Sequence, residues 1–341
     1  MSNSRDCMDV ELKQWDSIKG RNNWMGLLVG NGASRAVRDS FWYDSLDDKA
    51  NSNAIKDPLS QEDTMIFESM DTKDFERVLA ALWTTEVVCK ALGRYKTADR
   101  VHVHYESIKT ALIEAVHVVH APWSEIVKVL TKIHSALLQY ESVYSTNYDL
   151  LLYWAIMTEK PIIFKDYFWS ESSSGAKVSF DITNTELSRP RILYLHGGLH
   201  LVHLLSGETR KLTAKRGQLL AQFDESLEHG ETPLFVTEGT AKDKLVSINR
   251  SSYLSFAYKE FTKHTGDLVI FGHSLGESDN HLIQAMRRWG ERNIAISMRQ
   301  GDSNSIRTRQ AKLVEALPKA ELLFFDAETH PLGKLKRDNS L

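Results

Sequence analysis

LLVGNGASRAV, residues 27–37, joins an apolar run to two closely spaced glycines and then to a stretch of helical character. The run MGLLV (25–29) predicts a short buried strand. Gly30 and Gly32 let the backbone turn sharply and come close to a neighbour, and Ser34 is an N-cap candidate for the helix that follows. A strand, a glycine-rich turn and a helix N-terminus make a phosphate cradle, because unpaired N–H groups and the positive end of the helix dipole face one point. An ordinary strand-to-helix turn is spelled the same way, so the rest of the chain must discriminate.

The same rhythm returns further on. SVYST (142–146) leads into DLLLYWAI, RILYLHG (191–197) ends on a glycine, and PLFVTEG (233–239) is similar. DLVIFGHS (267–274) is a nearly continuous apolar run, as a strand buried on both faces requires. The helix DNHLIQAMRRW, the strand NIAISM, a helix over 305–316 and the strand AELLFFD complete the series. Strands alternating with helices predict an α/β fold with a doubly wound, mainly parallel, Rossmann-like sheet, carried by one domain over 1–341. A helical block is inserted over about 65–140. There TKDFERVLAALWTTEVVCKAL sets Phe75, Val78, Leu79, Leu82 and Trp83 at a 3.6-residue period. PWSEIVKVLTKIHSALLQY keeps that period, with Pro122 early and Ser124 as a cap. The polar stretch at 170–190, SESSSGAKVSFDITNTELSRP, reads as a loop or small hairpin serving as a lid or contact loop.

Composition narrows the function classes. The 341 residues are 42% hydrophobic and 26% charged with net charge −3, which gives no overall basic signal for direct nucleic-acid binding, although MRRWGER (286–292) is a local basic patch. No apolar run approaches the ~20 residues of a membrane span, and the opening MSNSRDCMDVELKQ is too polar for a secretory signal, so a cytoplasmic protein is expected. Cys7 and Cys89 cannot build a four-cysteine zinc site. His117 and His120 share a helix face in the tract at 101–120, yet no nearby Glu or Cys completes a ligand set, so no metal is expected.

In doubly wound sheets, ligands sit beyond the carboxyl ends of the strands, near the point where strand order reverses. Four segments put polar groups there: GNGAS, TNYD, HGG and GHSLGESD. In order, GNGAS, STNYDLLL, LYLHGG and GHSLGESDNHLI resemble the motifs of sirtuin-like NAD-binding domains over about 27–298, most of all the bacterial branch that degrades NAD in antiphage defence. The resemblance implies that the loop of Gly30, Asn31, Gly32, Ala33 and Ser34 holds the NAD phosphates and adjacent ribose. It places Asn147 and His196 at the nicotinamide ribose as the catalytic pair, and Asp149 on the nicotinamide carboxamide. Gly272, Ser274 and Asp279 then fall on the adenosine side, and Phe41 and Tyr43 of SFWYDSL (40–46) cover the dinucleotide.

The chemistry agrees with those residue types. Breaking the nicotinamide glycosidic bond leaves an oxocarbenium-like centre at the ribose C1′, and the leaving group is already cationic, so no strong acid is needed. Asn147, with a donor and an acceptor, can orient a water or a ribose hydroxyl. His196 can act as a base at neutral pH. Each residue also has a plain structural alternative: Asn147 as a cap of the helix near Asp149, His196 as a bonded histidine at a strand end, Ser274 and Asp279 as turn and cap, and Phe41 and Tyr43 as core. Two departures narrow the choice. The dehydrogenase fingerprint G-x-G-x-x-G/A fails at Arg35, and the zinc module of sirtuin deacylases cannot be built from two cysteines.

The expectation is an NAD glycohydrolase, with NAD as substrate and no metal, acting as an antiphage effector that depletes NAD. An ADP-ribosyltransferase and a non-catalytic nucleotide-binding scaffold are the rivals. The resemblance also implies control through a homo-oligomer and a second protein, a HerA-type translocase ATPase ahead of a short Argonaute. FERVLAALW and IVKVLTKIHSALL are the candidate contact helices.

Overall fold

The computed structural model describes residues 12–37, 49–52, 54–73, 75–119, 123–158, 164–168, 178–183, 190–204, 206–213, 218–229, 231–236 and 240–335. In chain order the elements are α1 (Trp15–Ile18), β1 (Trp24–Val29), α2 (Gly32–Val37), α3 (Gln61–Ser69), α4 (Phe75–Ala91), α5 (Tyr95–Val119), α6 (Trp123–Leu137), β2 (Ser142–Ser145) and α7 (Leu151–Thr158). Then come β3 (Val178–Ser179), β4 (Arg191–Tyr194), β5 (Gly197–His203), β6 (Thr209–Lys211), α8 (Leu219–Glu228), β7 (Thr232–Phe235), α9 (Ala241–Arg250) and α10 (Ser252–Thr262). The last third adds β8 (Asp267–Phe271), α11 (Asn280–Arg287), β9 (Asn293–Met298), α12 (Ser303–Ala316) and β10 (Glu321–Asp326).

Six strands form an all-parallel sheet in the order β10-β9-β8-β1-β2-β4. Counted along the chain within this sheet, that is the order 3-2-1-4-5-6 of doubly wound dinucleotide-binding sheets, reversing between β1 and β8. Register follows from burial on both faces: Leu27 lies opposite Val143 of β2 and Val269 of β8, and all three are fully buried. An apolar side chain so placed stabilises the fold by roughly 1.5–3 kcal/mol.

The helices α3 to α6 fill the crossover from β1 to β2. Phe75, Val78, Leu79 and Leu82 of α4, and Ile126, Val129, Leu130, Ile133 and Leu137 of α6, are buried in the core. The apolar faces singled out as contact surfaces are therefore core faces. Exposed apolar side chains lie elsewhere, among them Val87, Val88, Leu92 and Tyr95 on either side of the α4–α5 turn. Ser124 lies inside the first turn of α6, which begins at Trp123. Ser60 and Asp63 close a capping box on α3, and the same buried carboxylate takes bonds from His104 and Ser107, which ties α3 to α5.

A second sheet, antiparallel in the order β3-β6-β5-β7, was not expected. RILYLHG does not end one strand cleanly: β4 stops at Tyr194, the backbone reverses at Gly197 (φ +72°), and β5 departs at once. PLFVTEG contributes β7 to this small sheet and not to the parallel one. Within 170–190, the described Val178–Ser179 form β3, which pairs antiparallel with β6 of this sheet. No helix among the described residues is long and apolar enough to cross a membrane.

Candidate functional site

The four motif-bearing strands, β8, β1, β2 and β4, are consecutive neighbours in the sheet. Their carboxyl ends therefore form one continuous ledge beside the switch point. The loop after β1 docks backbone-to-backbone on the loop after β8. Gly30 N–H donates to the Phe271 carbonyl at 2.9 Å and Gly32 N–H to the Gly272 carbonyl at 2.7 Å, while Ala33 N–H returns to Gly30. A Cβ on Gly30 would lie 2.6 Å from the His273 Cα, and one on Gly32 2.6 Å from the Gly272 Cα. The two glycines thus serve loop-on-loop contact. This narrows the expected cradle: the N–H groups of Gly30, Gly32 and Ala33 are already bonded to carbonyls. The β8 loop also carries Leu275 at φ +53°, a conformation uncommon outside glycine that clusters at functional sites.

Ser34 brings a correction. Helix α2 begins at Gly32, so Ser34 sits inside its first turn and is no N-cap. Its hydroxyl, wholly buried, donates instead to the Asp149 carboxylate at 2.6 Å and accepts from the Asn147 side-chain amide at 3.0 Å. The direction of this chain is forced. A carboxylate only accepts, so the one Ser34 proton goes to Asp149, and Asn147 must present its NH₂ group to the serine oxygen. The Asn147 Oδ1 is thereby left as a buried acceptor with no hydrogen-bond partner among the described residues, and the Asn31 Oδ1 is another. Asp149, not Asn147, caps α7, accepting from Leu151 N–H at 2.8 Å. Asp149 is buried, and its two described bonds, from Ser34 and Leu151, tie α2 to the start of α7.

His196 leaves the end of β4 and meets His281, whose Nε2 is 2.9 Å from its own Nε2. This contact spans the ends of β1 and β2, because His281 opens α11 after β8. Beside it, Lys244 of α9 pairs with Asp279 at 2.8 Å with both side chains largely buried. Burial, then the Lys244 cation, hold the His196 pKa well below the ordinary histidine value, and burial pulls His281 down to about 4. Burial works against the Asp279 anion, but His273 and Lys244 outweigh it and bring its pKa to about 2. Near neutrality both imidazoles are therefore neutral and Asp279 is charged. One ligand atom from each of His196, Asp279 and His281 lies within 4.8 Å of the others, a spacing that can hold a metal ion. Sequence spacing had suggested no such set.

Of the residues expected at the site, Gly30, Asn31, Gly32, Ala33, Ser34, Asn147, Asp149, His196, Gly272 and Asp279 lie on this ledge or its loops. Ser274 is exposed on the β8 loop. Phe41 and Tyr43 fall outside the described residues. His117 is remote, pairing with Asp224 of α8 at 3.0 Å, and His120 is outside the described residues. Lys244 and His281 were not foreseen. The GESDNHLI stretch pointed only to Asp279, and a lysine on an amphipathic helix carries no signal of its own.

The chain belongs to the family described as a domain of unknown function (DUF4917), which matches residues 27–332. Among curated proteins, none matches it.

Proposed function

We propose that this DUF4917 protein binds NAD on the ledge and hydrolyses its nicotinamide–ribose bond. The observation that carries the reading is the pair of stranded acceptors, Asn31 Oδ1 and Asn147 Oδ1, at the switch point of a 3-2-1-4-5-6 sheet. A buried acceptor without a donor costs roughly 1–3 kcal/mol, and ribose hydroxyls or a bound water supply the missing donors. The resemblance of the four strand-end motifs to NAD-degrading sirtuin-like domains supports the same ligand.

In this reading Asn147 Oδ1 takes a hydrogen bond from the attacking water and aims its lone pair at C1′. The C1′–N bond breaks with its electron pair going to the nicotinamide ring, the water oxygen bonds to C1′, and the water proton leaves through His196. That role fixes the tautomer: His196 Nε2–H donates to His281 Nε2, leaving Nδ1 of His196 with the lone pair. Asp149 works at one remove, holding Ser34 and through it Asn147. Nothing in this scheme needs a metal. Control through self-association or a second protein remains part of the proposal, with the α4–α5 turn in place of the buried helix faces as the contact surface.

A non-catalytic nucleotide-binding scaffold is favoured by one observation, the near-complete burial of Asn147 and His196. Nicotinamide release by purified protein separates the two readings. Asn147→Ala and His196→Ala should each lower it by about 10²–10⁴-fold, the usual worth of a positioned base, with the fold retained. Near-normal release by either folded variant sinks the assignment, and label transferred to protein instead of free ADP-ribose would make the enzyme a transferase.

A further inference from the structure

We propose that His196, His281 and Asp279 form a binding site for a divalent transition metal of the zinc type, and that metal bound there silences the site. The silencing half rests on the hydrolase reading; the binding half does not.

The donor set is two imidazoles and a carboxylate, the chemistry zinc prefers, with three protein ligands. The pieces come from both sides of the ledge: His196 from the end of β4, Asp279 and His281 from the segment after β8. The two Nε2 atoms are 2.9 Å apart. Metal–nitrogen bonds of about 2.0–2.1 Å in a tetrahedron put two such nitrogens about 3.3 Å apart, so the rings need to part by only a few tenths of an ångström. Lys244 bonds Asp279 Oδ1 at 2.8 Å and so competes with a metal for that carboxylate. Its positive charge also opposes a cation, so the site is tuned to moderate affinity.

The silencing step is a change of tautomer. Without metal, the base-competent His196 carries its proton on Nε2 and its lone pair on Nδ1. A metal takes the Nε2 lone pair, and a neutral imidazole bound that way must carry its single proton on Nδ1. No proton is gained or lost by the ring, but Nδ1 can no longer accept one from water.

Cobalt(II) serves as a visible probe for zinc. Titration of the purified, tag-free chain should give saturable absorption bands of a low-coordinate site, at one ion per chain and displaced by zinc. His281→Asn and Asp279→Asn should each weaken binding at least tenfold, and Lys244→Met should tighten it about tenfold by removing the adjacent cation. Unchanged affinity in either ligand variant, with circular dichroism showing it folded, overturns the site. Should both ligand variants fail to fold, unchanged affinity in Lys244→Met overturns it equally. In the activity arm, saturating zinc should slow nicotinamide release at least tenfold and a chelator should restore it. Equal or faster release in zinc refutes silencing. Cobalt binding at these residues with no nicotinamide release under any condition leaves the metal site standing and counts against the hydrolase reading.

Discussion

Replacing Ser34 by alanine isolates the chain of bonds under the site, and its cost can be worked from the geometry. The hydroxyl is wholly buried, donates to the Asp149 carboxylate at 2.6 Å and accepts from Asn147 at 3.0 Å. A bond to a charged group contributes about 1.5–3 kcal/mol and a neutral one about 0.5–1.5 kcal/mol. Alanine removes both bonds, so a loss of about 2–4 kcal/mol is expected, a large share of the ~5–15 kcal/mol that holds a typical domain folded. Asn147→Ala removes only the weaker bond and leaves the Ser34–Asp149 pair intact, so about 1 kcal/mol is expected. Urea denaturation followed by tryptophan fluorescence measures both. The ranking in stability, Ser34→Ala worse than Asn147→Ala, should invert in nicotinamide release, where Asn147 touches the reacting water and Ser34 only positions it. A Ser34→Ala protein within about 0.5 kcal/mol of the parent would refute the buried network as drawn.

Gly272→Ala should destabilise by about 3 kcal/mol or more, because φ is +68° there and the new Cβ would lie 2.7 Å from the Gly32 carbonyl carbon. Gly290→Ala, with nothing within 4 Å, serves as the control, and equal denaturation midpoints for the two would contradict the loop packing. Acidification should destabilise the protein between about pH 6.5 and 4. Burial, then the Arg292 cation, keep His264 neutral down to about 4, and burial, then Lys334, keep His330 neutral to about 3, whereas the unfolded chain protonates both from about pH 6.5 downward. The unfolded state then binds more protons, so stability falls by up to about 1.4 kcal/mol per pH unit for each histidine. A flat profile over that window in His264→Gln/His330→Gln and parent alike would exclude these two as its source. Chelator alone should leave nicotinamide release intact. Light scattering should report a species larger than one chain, reduced to a monomer by Val88→Glu with Leu92→Glu at the exposed α4–α5 turn.

Much of the fold was legible because the signal was local. The doubly buried runs LLV and DLVIF have no polar alternation, and strands of that kind belong in a parallel sheet. The 3.6-residue period of α4 correctly gave its buried face, yet the same period could not say whether that face met the core or a partner. The small antiparallel sheet escaped because β5 and β7 spell like any buried strand, and only the reversal at Gly197 assigns them elsewhere. At the site, residue types at strand ends were readable and their pairings were not. Ser34 looks like a cap because caps are made of serine, and its true partner is 115 residues away. His281 looks like one more residue of an amphipathic helix until a contact 85 residues distant puts it against His196.

The central position of β1 has a consequence for biosynthesis. Among the described strands WMGLLV leaves the ribosome first, and it is apolar and paired on both edges in the folded sheet. One edge is met by β2, but the other waits for Val269 and its neighbours in β8. At ~5–20 residues per second the delay is roughly 10–50 s. Throughout that interval the nascent chain displays a bare hydrophobic strand edge, the template on which chains stick to one another. Such a chain depends on a holding chaperone or on the early helical block to shield it, and fragments that stop before Phe271 keep the edge exposed for good.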